Sequence, residues 1–227
     1  MVDTLNIAEQ SRAYCAKDSV VKLMTNKYMN ASSDFVTKDM KPYSLFTSRY
    51  FSALDIKLDY QPDVIMISDI AFAPHSILDP HTEVIQIAGR FRNGVNSLTH
   101  ITNYKSDLEI KTRSEALNYL AGCLDSHESV LNLLQNSTHR GWIDTLNYFV
   151  ANSPVAGFYE NGKRNQFMID NDLYNERVKG YYKSADRLRA AYDDVQDHFA
   201  TVFIDEEYNI GDTDLVKLSK KYLRRRR

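Results

Sequence analysis

The sequence predicts an α/β fold: a parallel sheet flanked by helices, followed by a mostly helical region that carries one β-hairpin. Up to about Tyr104, short runs of β-branched and aromatic residues alternate with helix-like segments, the texture of a parallel sheet whose strands are buried on both faces. From about Asp107 the apolar residues recur at helical spacing instead. Within that second region Asn161-Gly162 sits between apolar flanks, a short-range hairpin signal. The change of period divides the chain into residues 1–106 and 107–227.

Taken in order, Ile7–Lys17 reads as the first helix. Val20-Val21-Lys22-Leu23-Met24, Tyr43-Ser44-Leu45-Phe46-Thr47, Val64-Ile65-Met66-Ile67-Ser68 and Ser97-Leu98-Thr99-His100-Ile101 are the strand candidates. A helix over His81–Arg92 is opened by Asp79-Pro80, a capping residue followed by a first-turn proline. In the second region Ser114-Glu115-Ala116-Leu117 opens a helix with Leu117, Leu120, Leu124, Leu131 and Leu134 at near-helical spacing. Gly141-Trp142 leads into the stripe of Ile143, Leu146, Phe149 and Val150, ended by Pro154 and Gly157. The hairpin falls within Phe158–Phe167, a long helix spans about Leu173–Phe203, and a last one about Thr213–Leu223.

Composition excludes several classes. With 43% hydrophobic and 26% charged residues, the 227-residue chain can bury a sizeable core, so gross disorder is excluded. No apolar run approaches the roughly 20 residues that cross a bilayer, and no membrane partner is expected. Met1–Gln10 lacks the basic-then-apolar pattern of a secretory leader, and Cys15 and Cys123 match no zinc or redox spacing, so a reduced, cytoplasmic setting is expected. A net charge of −2 excludes a uniformly basic nucleic-acid binder and leaves a locally basic face open. His75, His81, His127, His139 and His198 show no ligand spacing, so no metal site is expected, and no nucleophile motif of the Gly-x-Ser-x-Gly kind occurs.

Two stretches carry chemistry. Gln86-Ile87-Ala88-Gly89-Arg90-Phe91-Arg92-Asn93-Gly94 places two arginines beside a glycine. A guanidinium is permanently charged and forked, which suits a phosphate chain, and Gly89 lets a nucleotide or a backbone come close. An amphipathic helix with solvated arginines is the other reading. Upstream, Thr47-Ser48-Arg49-Tyr50-Phe51-Ser52-Ala53-Leu54-Asp55-Ile56 begins where a predicted strand ends, the end at which open α/β sheets place their ligands. There a Thr or Ser donates to phosphate, and an Asp orients an arginine or accepts from ribose. A capped strand-to-helix turn is the alternative.

In this order the two stretches resemble motifs V and VI of the superfamily 2 helicases and translocases. Motif V has Thr, a small residue six positions later and Asp two further on, here Thr47, Ala53 and Asp55. Motif VI begins with Gln or His followed by Gly-Arg, here Gln86, Gly89 and Arg90. The strand Val64–Ser68 falls between them as in the family, and the resemblance covers roughly residues 5–105. Ala53 replaces the usual glycine, and Asn93 occupies the place of the second motif VI arginine, with Arg92 just before it.

The resemblance implies a partial RecA-like domain that faces an upstream RecA-like ATPase domain across ATP and magnesium. It implies that Arg90 and Arg92 share the catalytic arginine-finger role. Asp55, Gln86 and Gly89 would line the nucleotide, and Thr47 and Ser48 would contact DNA or RNA. The upstream domain supplies the phosphate loop and the acidic metal-binding pair. Here no Gly-x-x-x-x-Gly-Lys-Ser/Thr occurs, and Asp205-Glu206-Glu207 falls in a predicted helical context. The function implied is the C-terminal part of an ATP-dependent helicase or translocase, inactive as an ATPase alone. The family's first strand of this domain is expected to be absent, since Met1–Asn6 is short and polar, which would leave a sheet edge uncovered. The alternative is a non-catalytic module, derived from such a motor, that binds nucleic acid or protein.

Two basic features lie in the second region. Lys163 and Arg164 sit at the hairpin tip among Phe158, Tyr159 and Phe167, where they would contact nucleic acid, or where the aromatics simply fill a core. The tail Lys220-Lys221-Tyr222-Leu223-Arg224-Arg225-Arg226-Arg227 reads as a phosphate-binding run, a nuclear address or a solvated helix end.

Overall fold

A computed structural model describes residues 2–51, 54–160 and 162–206. These residues form a mixed α/β structure of small sheets and six α-helices. Ser52, Ala53 and Asn161 lie outside the described residues, as do the predicted helix Thr213–Leu223 and the basic tail Lys220–Arg227.

The first sheet is parallel throughout. β1 (Ser11–Tyr14) is its centre, flanked by β2 (Ala31–Ser32) and β3 (Tyr43–Phe46), with Ala13 opposite both Ala31 and Leu45. The helix predicted over Ile7–Lys17 is therefore incorrect, and a strand does precede the first helix. Ser, Arg and Ala tolerate helix, but Tyr14 is fully buried and decides the matter. It stacks on Phe46 at 4.9 Å and meets Phe35 and Tyr50 edge-on, contacts that only a central strand delivers.

The second correction follows directly. Val20–Met24 is not a strand but part of α1 (Lys17–Thr25), a helix with no fully buried residue. A short apolar run does not by itself distinguish strand from helix. Here Asp18 in the first turn and the Asn26 side chain bonding back to the Lys22 carbonyl at 2.7 Å belong to a helix.

The second sheet pairs β4 (Asp63–Ile67) with β5 (Ser97–Ile101) in parallel, residue for residue from Asp63–Ser97 to Ile67–Ile101. Alternation is clear: Met66 is buried, while Ile65, Ile67 and Ile101 face outward. Between the strands Asp79 caps a wide π-type turn over Pro80–Val84, which runs into α2 (Ile85–Gly89). The predicted helix stops three residues short of Arg92, because the chain leaves α2 to bridge Ile56 through Phe91.

Beyond Thr112, α3 (Arg113–Gln135) opens with a capping box in which Thr112 and Glu115 exchange bonds. It packs against α4 (Arg140–Asn152). The hairpin follows as β6 (Tyr159–Glu160) and β7 (Lys163–Arg164), with Gly162 at φ +74 in its turn. The predicted Leu173–Phe203 helix is in fact two, α5 (Gln166–Tyr181) and α6 (Ala185–Asp193). The break comes at Ser184, whose hydroxyl accepts from the Arg187 amide and starts a new helix.

Two cores result. In one, Met66, Ile70, Leu78, Val84 and Ile87 pack against Val178, Tyr182, Leu188, Tyr192 and Val195, so this core draws on both sides of residue 107. The other joins Leu120, Leu124, Val155, Phe158 and Ile169. Among the described residues no helix is long and apolar enough to cross a membrane.

Candidate functional site

Two chain segments, 54–56 and 90–92, are zipped together. The Ile56 amide donates to the Arg90 carbonyl at 2.8 Å, and the Arg92 amide donates to the Ile56 carbonyl at 3.0 Å. Ile56, 4% exposed, anchors the bridge in the interior. Residues flanking a parallel bridge project from the same strip of surface, so Asp55 comes to stand beside the two arginines.

The side chains complete the junction. Arg92 Nη2 donates to Asp55 Oδ1 at 2.6 Å, in a pair whose members are each about half exposed. Exposed pairs of this kind contribute at most about 1 kcal/mol to folding, so the consequence is orientation. Arg90 is half-buried: its Nε donates to the Gln86 carbonyl at 3.2 Å and its Nη1 to the Leu54 carbonyl at 3.4 Å. The structure thus brings together Asp55, Gln86, Arg90 and Arg92.

Gly89, the last residue of α2, is exposed, and a Cβ added there would meet no atom within 4 Å. The fold itself does not require glycine at this place. Asn93 is exposed but bonded within the chain: its Nδ2 donates to the Leu58 carbonyl at 2.6 Å and its carbonyl accepts from Gln61 Nε2 at 2.9 Å. These bonds tie the loop after Asp55 to the turn after Arg92. Gly94 completes that turn at φ +80, a left-handed conformation that suits glycine.

Thr47 and Ser48 follow the carboxyl end of β3 and are exposed. The Thr47 amide and hydroxyl both reach the Tyr14 carbonyl, at 3.1 and 3.4 Å. Arg49, which the sequence reading passed over, is exposed between Ser48 and the buried Tyr50, with its guanidinium 5.9 Å from the Tyr50 ring.

Lys163 and Arg164 belong to a separate place, the hairpin against α3. Arg164 pairs with Glu128, which also accepts from the Tyr159 hydroxyl at 3.0 Å. Those bonds, Arg164 first, hold the Glu128 carboxyl below the usual carboxylate range. Phe158 is buried and Tyr159 stacks on His127, so these two aromatics pack, whereas Phe167 is 86% exposed.

Sequence reasoning missed the support beneath α2. Asp79 is fully buried; its Oδ1 accepts from the His81 amide at 3.0 Å, and its Oδ2 from Thr82 Oγ1 at 3.3 Å and Arg177 Nη2 at 3.2 Å. Thr82 is also bonded to the Tyr174 hydroxyl at 2.7 Å, and burial pushes that phenol up to about 12. Glu83 accepts from the Asp79 amide, and burial raises its carboxyl above the usual range. The Asp79-Pro80 cap was legible, but nothing in the sequence marks Arg177, 98 positions away, as its partner.

Among the described residues no three His, Cys, Asp or Glu side chains gather as a metal-ligating set. Comparison with protein-family models, curated proteins and solved structures finds no match.

Proposed function

We propose that this chain contributes the second RecA-like half of an ATP-dependent superfamily 2 helicase or translocase. In this reading the Asp55–Arg92 and Leu54–Arg90 contacts are the meeting of motifs V and VI. That meeting is the observation that carries the proposal: two stretches more than thirty residues apart, singled out by spacing alone, lie against each other through backbone and side chain.

The roles follow from chemistry. Arg90 and Arg92 hold positive charge at fixed positions, as stabilisation of a transferring phosphoryl group requires. Asp55 aims Arg92, and the carbonyls of Leu54 and Gln86 hold Arg90. Gly89, where no neighbour forbids a side chain, leaves room for a nucleotide at the end of α2. ATP and magnesium would be held chiefly by a phosphate loop and an acidic pair on a partnering RecA-like domain. Thr47 and Ser48 offer hydroxyls, with Arg49 beside them, to a DNA or RNA backbone.

The test joins this chain to the coding region upstream of Met1 and measures nucleic-acid-stimulated ATP hydrolysis. Arg90→Ala should lower turnover by about 10³ or more, the typical cost of losing an arginine finger, while the thermal midpoint stays close to wild type. Turnover unchanged by Arg90→Ala would remove the motif VI assignment.

A further inference from the structure

Between the start of α3 and helices α5 and α6 lies an open groove of about 710 Å³, built from elements that carry neither Asp55 nor Arg90. We propose that it seats single-stranded nucleic acid, with phosphates on Arg113, Arg177 and Arg187 and a base against Tyr174 and Tyr181. The site is additional to the Thr47–Ser48 contacts and does not depend on the motor reading.

The cations come from three helices. Arg113 stands in the first turn of α3, Arg177 on α5 and Arg187 on α6. Arg113 and Arg187 are exposed, and neither guanidinium has an ion-pair or hydrogen-bond partner among the described residues. Arg177 gives one nitrogen to Asp79, lies 5.1 Å over the Tyr174 ring and is still 55% exposed. Its fork therefore retains outward donors for a phosphate.

Three carboxylates also line the groove, and each is already engaged. Glu176 accepts from the Lys111 amide at 2.7 Å and pairs with Lys179 at 3.6 Å. Asp194 faces His81 Nε2 at 3.6 Å, and Asp170 accepts from Gln166 Nε2 at 3.3 Å. Along the lining, Lys111, Arg113, Arg177 and Arg187 outnumber these three carboxylates by one, and the two arginines without an ion partner among the described residues, Arg113 and Arg187, are exposed. The small residues Ala116, Gly180 and Ala190 also line the groove, beside Tyr174, which carries Arg177 over its ring, and Tyr181, which lies 5.6 Å from the His81 ring. Arginines for the backbone and aromatic faces for the bases are the combination by which proteins hold single strands. The volume lies within the roughly 300–1,000 Å³ of cavities that enclose a ligand.

Arg177 also joins the groove to the candidate site. Its partner Asp79 caps the turn that leads into α2, so an occupant on Arg177 sits one ion pair from the helix bearing Gln86 and Gly89.

Fluorescence anisotropy of the whole chain with a fluorescein-labelled oligothymidylate tests the proposal. Arg113→Glu and Arg187→Glu should each weaken binding roughly tenfold, and each arginine lost should lower the slope of log affinity against log salt by about 0.7. The circular dichroism of both variants should match wild type, since neither guanidinium is bonded within the fold. On the unaltered chain, a 5-iodouracil strand should photocross-link to Tyr174 or Tyr181, whatever the variants do. The position of the cross-link, at Tyr174 or Tyr181 rather than near Thr47 and Ser48, separates this site from the motor reading. Affinity unmoved by both charge reversals together with cross-links elsewhere would overturn the proposal. So would equal binding of an abasic strand, or complete displacement by a polyglutamate peptide at matched charge.

Discussion

Around Met66, Ile70 and Val84 the chain buries polar groups among the apolar ones, whereas around Leu120, Leu124 and Val155 the buried set is almost purely apolar. In the first core Ser68, Asp79 and Tyr182 are buried and bonded. The Tyr182 hydroxyl donates to the Leu78 carbonyl at 2.7 Å and accepts from the Leu78 amide at 2.9 Å. Beside the second, among the described residues, the buried polar side chain is His127; it stacks on Tyr159 at 4.5 Å, and its Nδ1 has no hydrogen-bond partner among those residues. Apolar contact fixes that a region packs; directional bonds fix where each atom goes. The bonded core is the one from which α2 and its arginine-bearing turn hang.

The largest break in that contrast should come from Asp79→Ala. It removes the cap of the Pro80–Val84 turn, leaves Thr82 and Arg177 without their acceptor and opens a hole under α2. Arg177, 55% exposed, is left to water, so the cost is that of the lost helix cap and of the bonds from Thr82 and Arg177, together about 3–5 kcal/mol, and urea unfolding should show a loss of that order. A loss below about 1 kcal/mol would mean that the network is incidental.

Acid should break the bonded core next. The Ser68 hydroxyl donates to the Ser76 carbonyl at 2.9 Å, so His100 Nε2–H donates to Ser68 Oγ at 2.9 Å, and Nδ1 accepts from the Tyr192 hydroxyl. Burial pushes His100 down to about 4 from the ordinary 6.5. Between those values the unfolded chain takes up a proton that the native chain refuses. The stabilisation is complete above the ordinary value and is lost as pH falls toward 4, by roughly 3 kcal/mol in total. Urea midpoints measured between pH 7 and 4 should show this slope, and His100→Gln should flatten it. A slope identical in the variant would move the effect to other groups.

These bonds also explain what the sequence made legible. β4 and β5 were readable as short runs rich in β-branched residues, although Ile65, Ile67 and Ile101 face outward rather than being buried on a second face, and the Asp79-Pro80 cap because its signal is local. The nearness of Asp55 to Arg92 was readable through motif spacing. β1 was not, because Ser-Arg-Ala-Tyr is neutral until Phe35, Phe46 and Tyr50 surround Tyr14. The break between α5 and α6 was missed because Tyr182 pairs with Leu78, 104 residues away, and no proline marks the place. Arg177 was hidden for the same reason. What escaped the sequence was long-range and directional, and what it revealed was periodic or local.

The smallest effect belongs to the apolar core and sharpens the contrast from the other side. Leu124, 6% exposed, packs with Leu120, Val155, Phe158 and Ile169, and no bond of the site passes through it. Leu124→Met keeps the volume and removes no hydrogen bond, so it should cost less than about 1.5 kcal/mol. The acid slope set by His100 should be unchanged, because the two clusters share no residue. Urea unfolding at pH 7 and pH 5 measures both quantities. A cost well above that figure, or an altered slope, would mean that the two cores unfold as one coupled unit and that α3 helps to hold the arginine-bearing turn.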